Sequence, residues 1–169
     1  LFTRAQEMFK TSFGDEHPIL VEVMYCNTEN MRLPGYYEDA VHEEGRAMQL
    51  GNTLYGPQTS HRALSLLRRA VVLRDVGRHT DAETLFSESA VLLEETVGVN
   101  GGCFAMLYGE HGECLRRMGR HEEADQTLSK GVALTRAAYS TGAGSGLGST
   151  RHPHSAVCLF EMYRAQTLL

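Results

Sequence analysis

The chain carries one turn three times: Gly35-Tyr36-Tyr37-Glu38-Asp39-Ala40, Gly77-Arg78-His79-Thr80-Asp81-Ala82 and Gly119-Arg120-His121-Glu122-Glu123-Ala124, with the leading glycines 42 residues apart at each step. The register extends well beyond the turn. Seven residues before each glycine stands a small residue, Thr28, Ala70 and Gly112, and four before it an apolar one, Met31, Leu73 and Leu115. Fifteen after it come Leu50, Leu92 and Leu134, and twenty after it Tyr55, Val97 and Tyr139. Carried backwards, the frame sets Met8 with those leucines and Phe13-Gly14 with Tyr55-Gly56. A fixed internal period of this length is the signature of a repeat architecture.

Within one period, two apolar stretches at helical spacing are separated by the turn glycine and closed by a second glycine, which predicts helix, turn, helix, loop. A glycine suits the left-handed residue that ends a helix, and the acidic residues after it suit the positive end of the next one. First-type helices are expected at about 17–33, 60–76, 102–118 and 153–168, and second-type helices at about 1–12, 36–53, 79–96 and 121–139. One pair cannot bury its apolar face alone, whereas stacked pairs share a core, so the fold class is all-α, an α-solenoid of antiparallel helix pairs. The frame divides the chain into the second helix of a preceding repeat at 1–14, repeats at 15–56, 57–98 and 99–140, a Gly-rich insertion at 141–151 and a further first helix at 152–169. It implies that the chain continues into further repeats. The insertion, Thr-Gly-Ala-Gly-Ser-Gly-Leu-Gly-Ser-Thr-Arg, reads as a linker, since it lacks Gly-x-Gly-x-x-Gly spacing and follows a helix rather than a strand.

Composition agrees. The 169 residues hold 16 Lys plus Arg against 21 Asp plus Glu, a net charge of −5 that gives nucleic acid no support as a partner. A single isoleucine, Ile19, leaves little β-branched material for a sheet. No apolar run is long enough to span a membrane. Cys26, Cys103, Cys114 and Cys158 are widely spaced, as in a cytosolic chain with reduced thiols.

These residues resemble a tetratricopeptide repeat of the 42-residue variety found in kinesin light chains. Such a unit opens near His-Pro, reaches a Gly-x-Tyr-x-Glu-Ala turn and ends on Leu-Gly. His17-Pro18, Gly35-Tyr36-Tyr37-Glu38-Asp39-Ala40 and Tyr55-Gly56 match that layout best. His79 and His121 replace the turn aromatic, and Asn27, Arg69 and His111 stand where the family buries leucine. The resemblance implies a right-handed superhelix and a non-enzymatic, cytoplasmic scaffold or adaptor without cofactors. It also implies that the first helices line a concave groove.

In that groove the positions three and six before the turn glycine face a ligand, giving Arg32, Arg74 and Arg116 at the first and Glu29, Val71 and Glu113 at the second. Tyr25, Leu67 and Arg117 complete the candidate partner-binding set. Arginine offers a planar fork for carboxylates, so the row suits an acidic peptide or protein. The alternative is that these arginines pair with Glu29, Asp75 and Glu113 and neutralise the groove. Alanine at Arg74 and Arg116 is expected to weaken partner binding without unfolding the chain. A second hypothesis makes the segment a structural component of a cytoskeletal or ciliary assembly, held by its convex face, or a regulatory segment of a larger protein.

Nothing qualifies as catalytic. His111-x-x-Cys114 with Cys103 and His121 is the nearest approach to a metal-ligand set, and its spacings fit no zinc template. Glu43-Glu44, Glu94-Glu95 and Glu122-Glu123 read as solvated helix faces, because adjacent helix positions do not face one another.

Overall fold

A computed structural model describes residues 2–97 and 102–140. Among them are seven α-helices and no strand: α1 Phe2–Phe13, α2 Pro18–Arg32, α3 Tyr37–Tyr55, α4 Ser60–Asp75, α5 His79–Thr96, α6 Gly102–Arg117 and α7 His121–Ser140. The expected helix at 153–168 and the insertion at 141–151 lie outside the described residues.

Each turn is built as its glycine requires. Gly35, Gly77 and Gly119 have φ of 93°, 89° and 76°, the left-handed region where a side chain is strained. The N–H after each glycine reaches back to close the helix, Tyr36 to Met31, Arg78 to Leu73 and Arg120 to Leu115, at 2.9, 2.9 and 3.0 Å. The glycine N–H bonds the carbonyl three residues back, Arg32, Arg74 or Arg116, which completes a Schellman cap in all three places. The next helix starts at once, with Glu38 and Asp39, Asp81, or Glu122 and Glu123 in its first turn. Side-chain caps start α2 and α4: His17 Nδ1 accepts from Ile19 N–H at 3.2 Å, and Thr59 Oγ1 from Arg62 N–H at 3.2 Å.

The chain divides into two compact units, Leu1–Leu85 and Phe86–Leu169, and α5 runs through the boundary. In the first unit, Val21, Met24 and Tyr25 of α2 pack with Ala47, Leu50 and Leu54 of α3. Leu66, Leu67, Ala70 and Val72 of α4 are buried as well. In the second unit, Phe86 and Leu93 of α5, Phe104, Leu107 and Leu115 of α6, and Leu128 and Val132 of α7 form the core. Each fully buried Leu or Phe contributes about 1.5–3 kcal/mol.

The repeated small residues stand where helices touch. Ala40, Ala82 and Ala124 have no exposed surface. Gly112 lets α6 lie so close to α7 that a Cβ there would meet Leu128 Cγ at 2.5 Å.

Candidate functional site

Of the candidate residues, Tyr25 and Arg32 of α2 both reach α4 in the first unit. Tyr25 is 7% exposed, with its hydroxyl hydrogen-bonded to Ser65 of α4 and the Arg68 guanidinium 4.2 Å above its ring. Burial pushes the Tyr25 phenol up, against the opposing bond from Ser65. Leu67, ten before Gly77, is 2% exposed and belongs to the core. Two turns of helix separate these positions from Arg32 and Arg74, so they share one face of each helix, and on α2 that face meets α4 at Tyr25 and Arg32.

Arg32 sits between two carboxylates, Nη1 on Asp75 Oδ2 at 2.5 Å and Nη2 on Glu29 Oε2 at 2.7 Å. Arg74 Nε bonds Asp75 Oδ1 at 3.1 Å, and Arg74 is 4% exposed. Burial alone would push Asp75 up, but Arg74 and Arg32 outweigh it and hold the carboxyl below its ordinary range. Burial likewise works against the Arg32 cation, and the bonds to Glu29 and Asp75 reverse the effect and raise its pKa. Alanine at Arg74, expected to spare the fold, would therefore strip a partner from the largely buried Asp75 and cost stability. The outer members of this array reach solvent, Glu29 with 49% of its side chain exposed and Glu22 with 58%.

In the second unit, Glu113 is the anchor. It is 2% exposed and receives Arg116 Nε and Nη2 at 2.7 and 2.9 Å and Arg117 Nε at 2.8 Å. Burial raises its pKa, and the bonds from Arg116 and then Arg117 overcome this and hold it below the usual carboxylate range. The side chains of Arg116 and Arg117 are 27% and 38% exposed. Of the eight candidate residues, Glu29, Arg32, Arg116 and Arg117 thus present charge near solvent, while Tyr25, Leu67, Arg74 and Glu113 are buried supports.

Glu43 and Glu44, expected on a solvated face, are 5% and 0% exposed, which corrects that reading. Glu43 accepts bonds from Gln6 of α1, from Asn27 Nδ2 of α2 at 3.4 Å and from Arg46 Nη1 at 2.9 Å. Glu44 Oε2 meets Arg69 Nη1 of α4 at 3.0 Å. The repeat itself held the signal: nine residues after the turn glycine stand Glu44, Phe86 and Leu128, and none of the three has exposed surface. Arg69 and His111 are equivalent too, eight residues before their glycines. Where Arg69 meets Glu44, His111 stacks on Phe86 with ring centroids 5.3 Å apart. His111 and the buried Cys114 are thus packing residues, and no group of three metal-ligating side chains occurs among the described residues.

A cleft of about 320 Å³ opens where α1 and α3 flank α2, over Leu20, Met24 and Leu50, with Arg46, Glu16 and the Lys10–Asp15 pair at its edge. No helix among the described residues is long and apolar enough to cross a membrane.

Residues 59–137 match the tetratricopeptide repeat family. The crystal structure of nearly identical TPR-like repeats from a Podosopora anserina chain assigned as a kinesin light chain superposes with a TM-score of 0.63 at 14% identity. It covers 98% of this chain and 85% of that one. A single-substitution form of the same repeats gives a TM-score of 0.63 and 14% identity over 99% of this chain and 85% of that one. At such identity the likeness shows the fold, TPR-like helical repeats. No curated protein matches the chain in sequence.

Proposed function

We propose that this chain, whose residues 59–137 match tetratricopeptide repeats, is a non-enzymatic scaffold or adaptor that binds a protein or peptide partner through its first-type helices. Repeats of this kind mediate protein–protein interaction, and the fold supplies rigid helical faces without a catalytic constellation in its sequence. The observation that carries the reading is the fixed charge on those helices. Arg32 is clamped between Glu29 and Asp75, and Arg116 and Arg117 converge on Glu113, so guanidinium groups are held in place before a ligand arrives. Side chains already ordered lose little entropy on binding.

The ligand chemistry this favours is an acidic segment. Glu29, half exposed, is the most loosely held anion of its cluster, and a ligand carboxylate takes its place on Arg32 or adds to the partly exposed Arg116 and Arg117. An adaptor of this kind fits a cytoplasmic setting, in keeping with the free thiols Cys26, Cys103 and Cys114. The test is an array of acidic, neutral and basic peptides probed with the wild-type chain and with Arg117→Glu. Acidic peptides should bind preferentially, weaken as salt rises and lose about tenfold or more in affinity to the variant, compared at a temperature where both chains keep their full helical circular dichroism. Equal binding of all three peptide classes would refute the acidic preference.

A second reading is favoured by the cleft beside α1 and α3. Its apolar floor, edged by Lys10 and Arg46 and by Asp15 and Glu16, lies beside second-type helices and would offer a cytoskeletal or ciliary assembly a docking side there.

A further inference from the structure

We propose that Glu44 is a proton-linked latch between α3 and α4, exchanging its ion pair with Arg69 for a neutral carboxyl when it takes up a proton. The geometry is that of a charge with too few partners. Glu44 has no exposed surface, one oxygen accepts a single bond from Arg69 at 3.0 Å, and the other, Oε1, meets no donor among the described residues. A buried carboxylate needs two or three donors to offset its lost hydration, and with one it favours the proton instead.

The surroundings are arranged around this pair. Arg69 crosses α3 beside Gly45, where a Cβ would lie 3.4 Å from its Nη1, so the guanidinium reaches Glu44 over a residue without a side chain. The other charged and titratable groups that face Glu44 are Arg68 and Arg62 from α4 and Tyr25 from α2, and Glu43 adjoins it on α3. Glu43 has three donors of its own and contrasts with its neighbour. Arg69, Arg68 and Arg62 all favour the charged form of Glu44, but burial outweighs them and its pKa is raised to about 7. The equivalent positions, Phe86 and Leu128, are apolar, so an ionisable group here is peculiar to the α3–α4 contact.

The sign of the linkage follows. A carboxyl with a raised folded pKa binds its proton more tightly folded than unfolded, so its contribution is fully present below the unfolded value and is lost as pH rises towards 7. Between pH 5 and 8 the folding equilibrium constant should fall on the order of a hundredfold from this group alone. Glu44→Gln, which mimics the neutral carboxyl in the same volume, should remove that part of the slope and exceed the wild type in stability at pH 8. The experiment is urea denaturation of both proteins across pH 5–8, with the Glu44 side-chain carboxyl followed in the folded wild type by carbon NMR. A midpoint above 6 together with a flattened slope in the variant supports the latch. A midpoint at or below 6, or a variant whose pH slope matches the wild type, overturns it, and the NMR titration decides even where the variant folds poorly.

Discussion

Gly112 and Gly119 stand seven residues apart in the sequence and are glycines for different physical reasons. At Gly119 nothing lies within 4 Å of the place a Cβ would take, and only its φ of 76° penalises a side chain. Gly119→Ala should therefore cost about 1–2 kcal/mol, the strain of one left-handed residue, as read by urea denaturation. At Gly112 the backbone is unstrained and the obstacle is Leu128, whose Cγ and backbone N would lie 2.5 and 3.3 Å from a new Cβ. Gly112→Ala should cost about 1–3 kcal/mol by overpacking, and Leu128→Ala in the same chain should relieve part of it. Additive losses in the double variant would contradict the contact. The carboxylates also separate at this scale. Asp75 and Glu113, held below the ordinary range by arginines, lend stability above the unfolded carboxylate pKa that is lost as pH falls through their folded values. Glu44 acts in the opposite sense, so acid unfolding should be preceded by a gain in stability as pH drops from 8 towards 5.

Helices were the most legible elements, because two glycine-marked ends recur in each period and each end has a single physical solution. The expected helix at 60–76 is Ser60–Asp75, and that at 79–96 is His79–Thr96. Thr59 caps the first of these through its hydroxyl, so Thr59→Ala should lower stability by about 1 kcal/mol and show as a reduced Tm; no change in Tm would mean the cap is made otherwise. What the local pattern hid was which polar residues face inward. Glu43-Glu44 looks like a solvated pair if only neighbours along the helix are compared, yet the register places Glu44 with Phe86 and Leu128. The burial of Tyr25 and Leu67 was hidden for a related reason. Spacing from the turn glycine shows that they share a face with Arg32 and Arg74 but not whether that face meets solvent or a neighbouring helix, and the Tyr25–Ser65 and Arg32–Asp75 contacts show the latter for α2.

At the scale of the molecule, a net charge of −5 is unevenly distributed. Several carboxylates are taken up inside the fold as partners for arginine, Asp75, Glu113 and Glu44 among them. A ligand that binds only the folded chain stabilises it, so a bound acidic segment should raise Tm, and charge reversal at Arg117 should abolish that gain. Hydrogen exchange of the chain alone and saturated with an acidic peptide from the array tests the central claim most directly. The account predicts added protection on first-type helices, around Glu29 and Arg32 of α2 or around Arg116 and Arg117 of α6; protection confined to α1 and α3, beside Lys10 and Arg46, would contradict it.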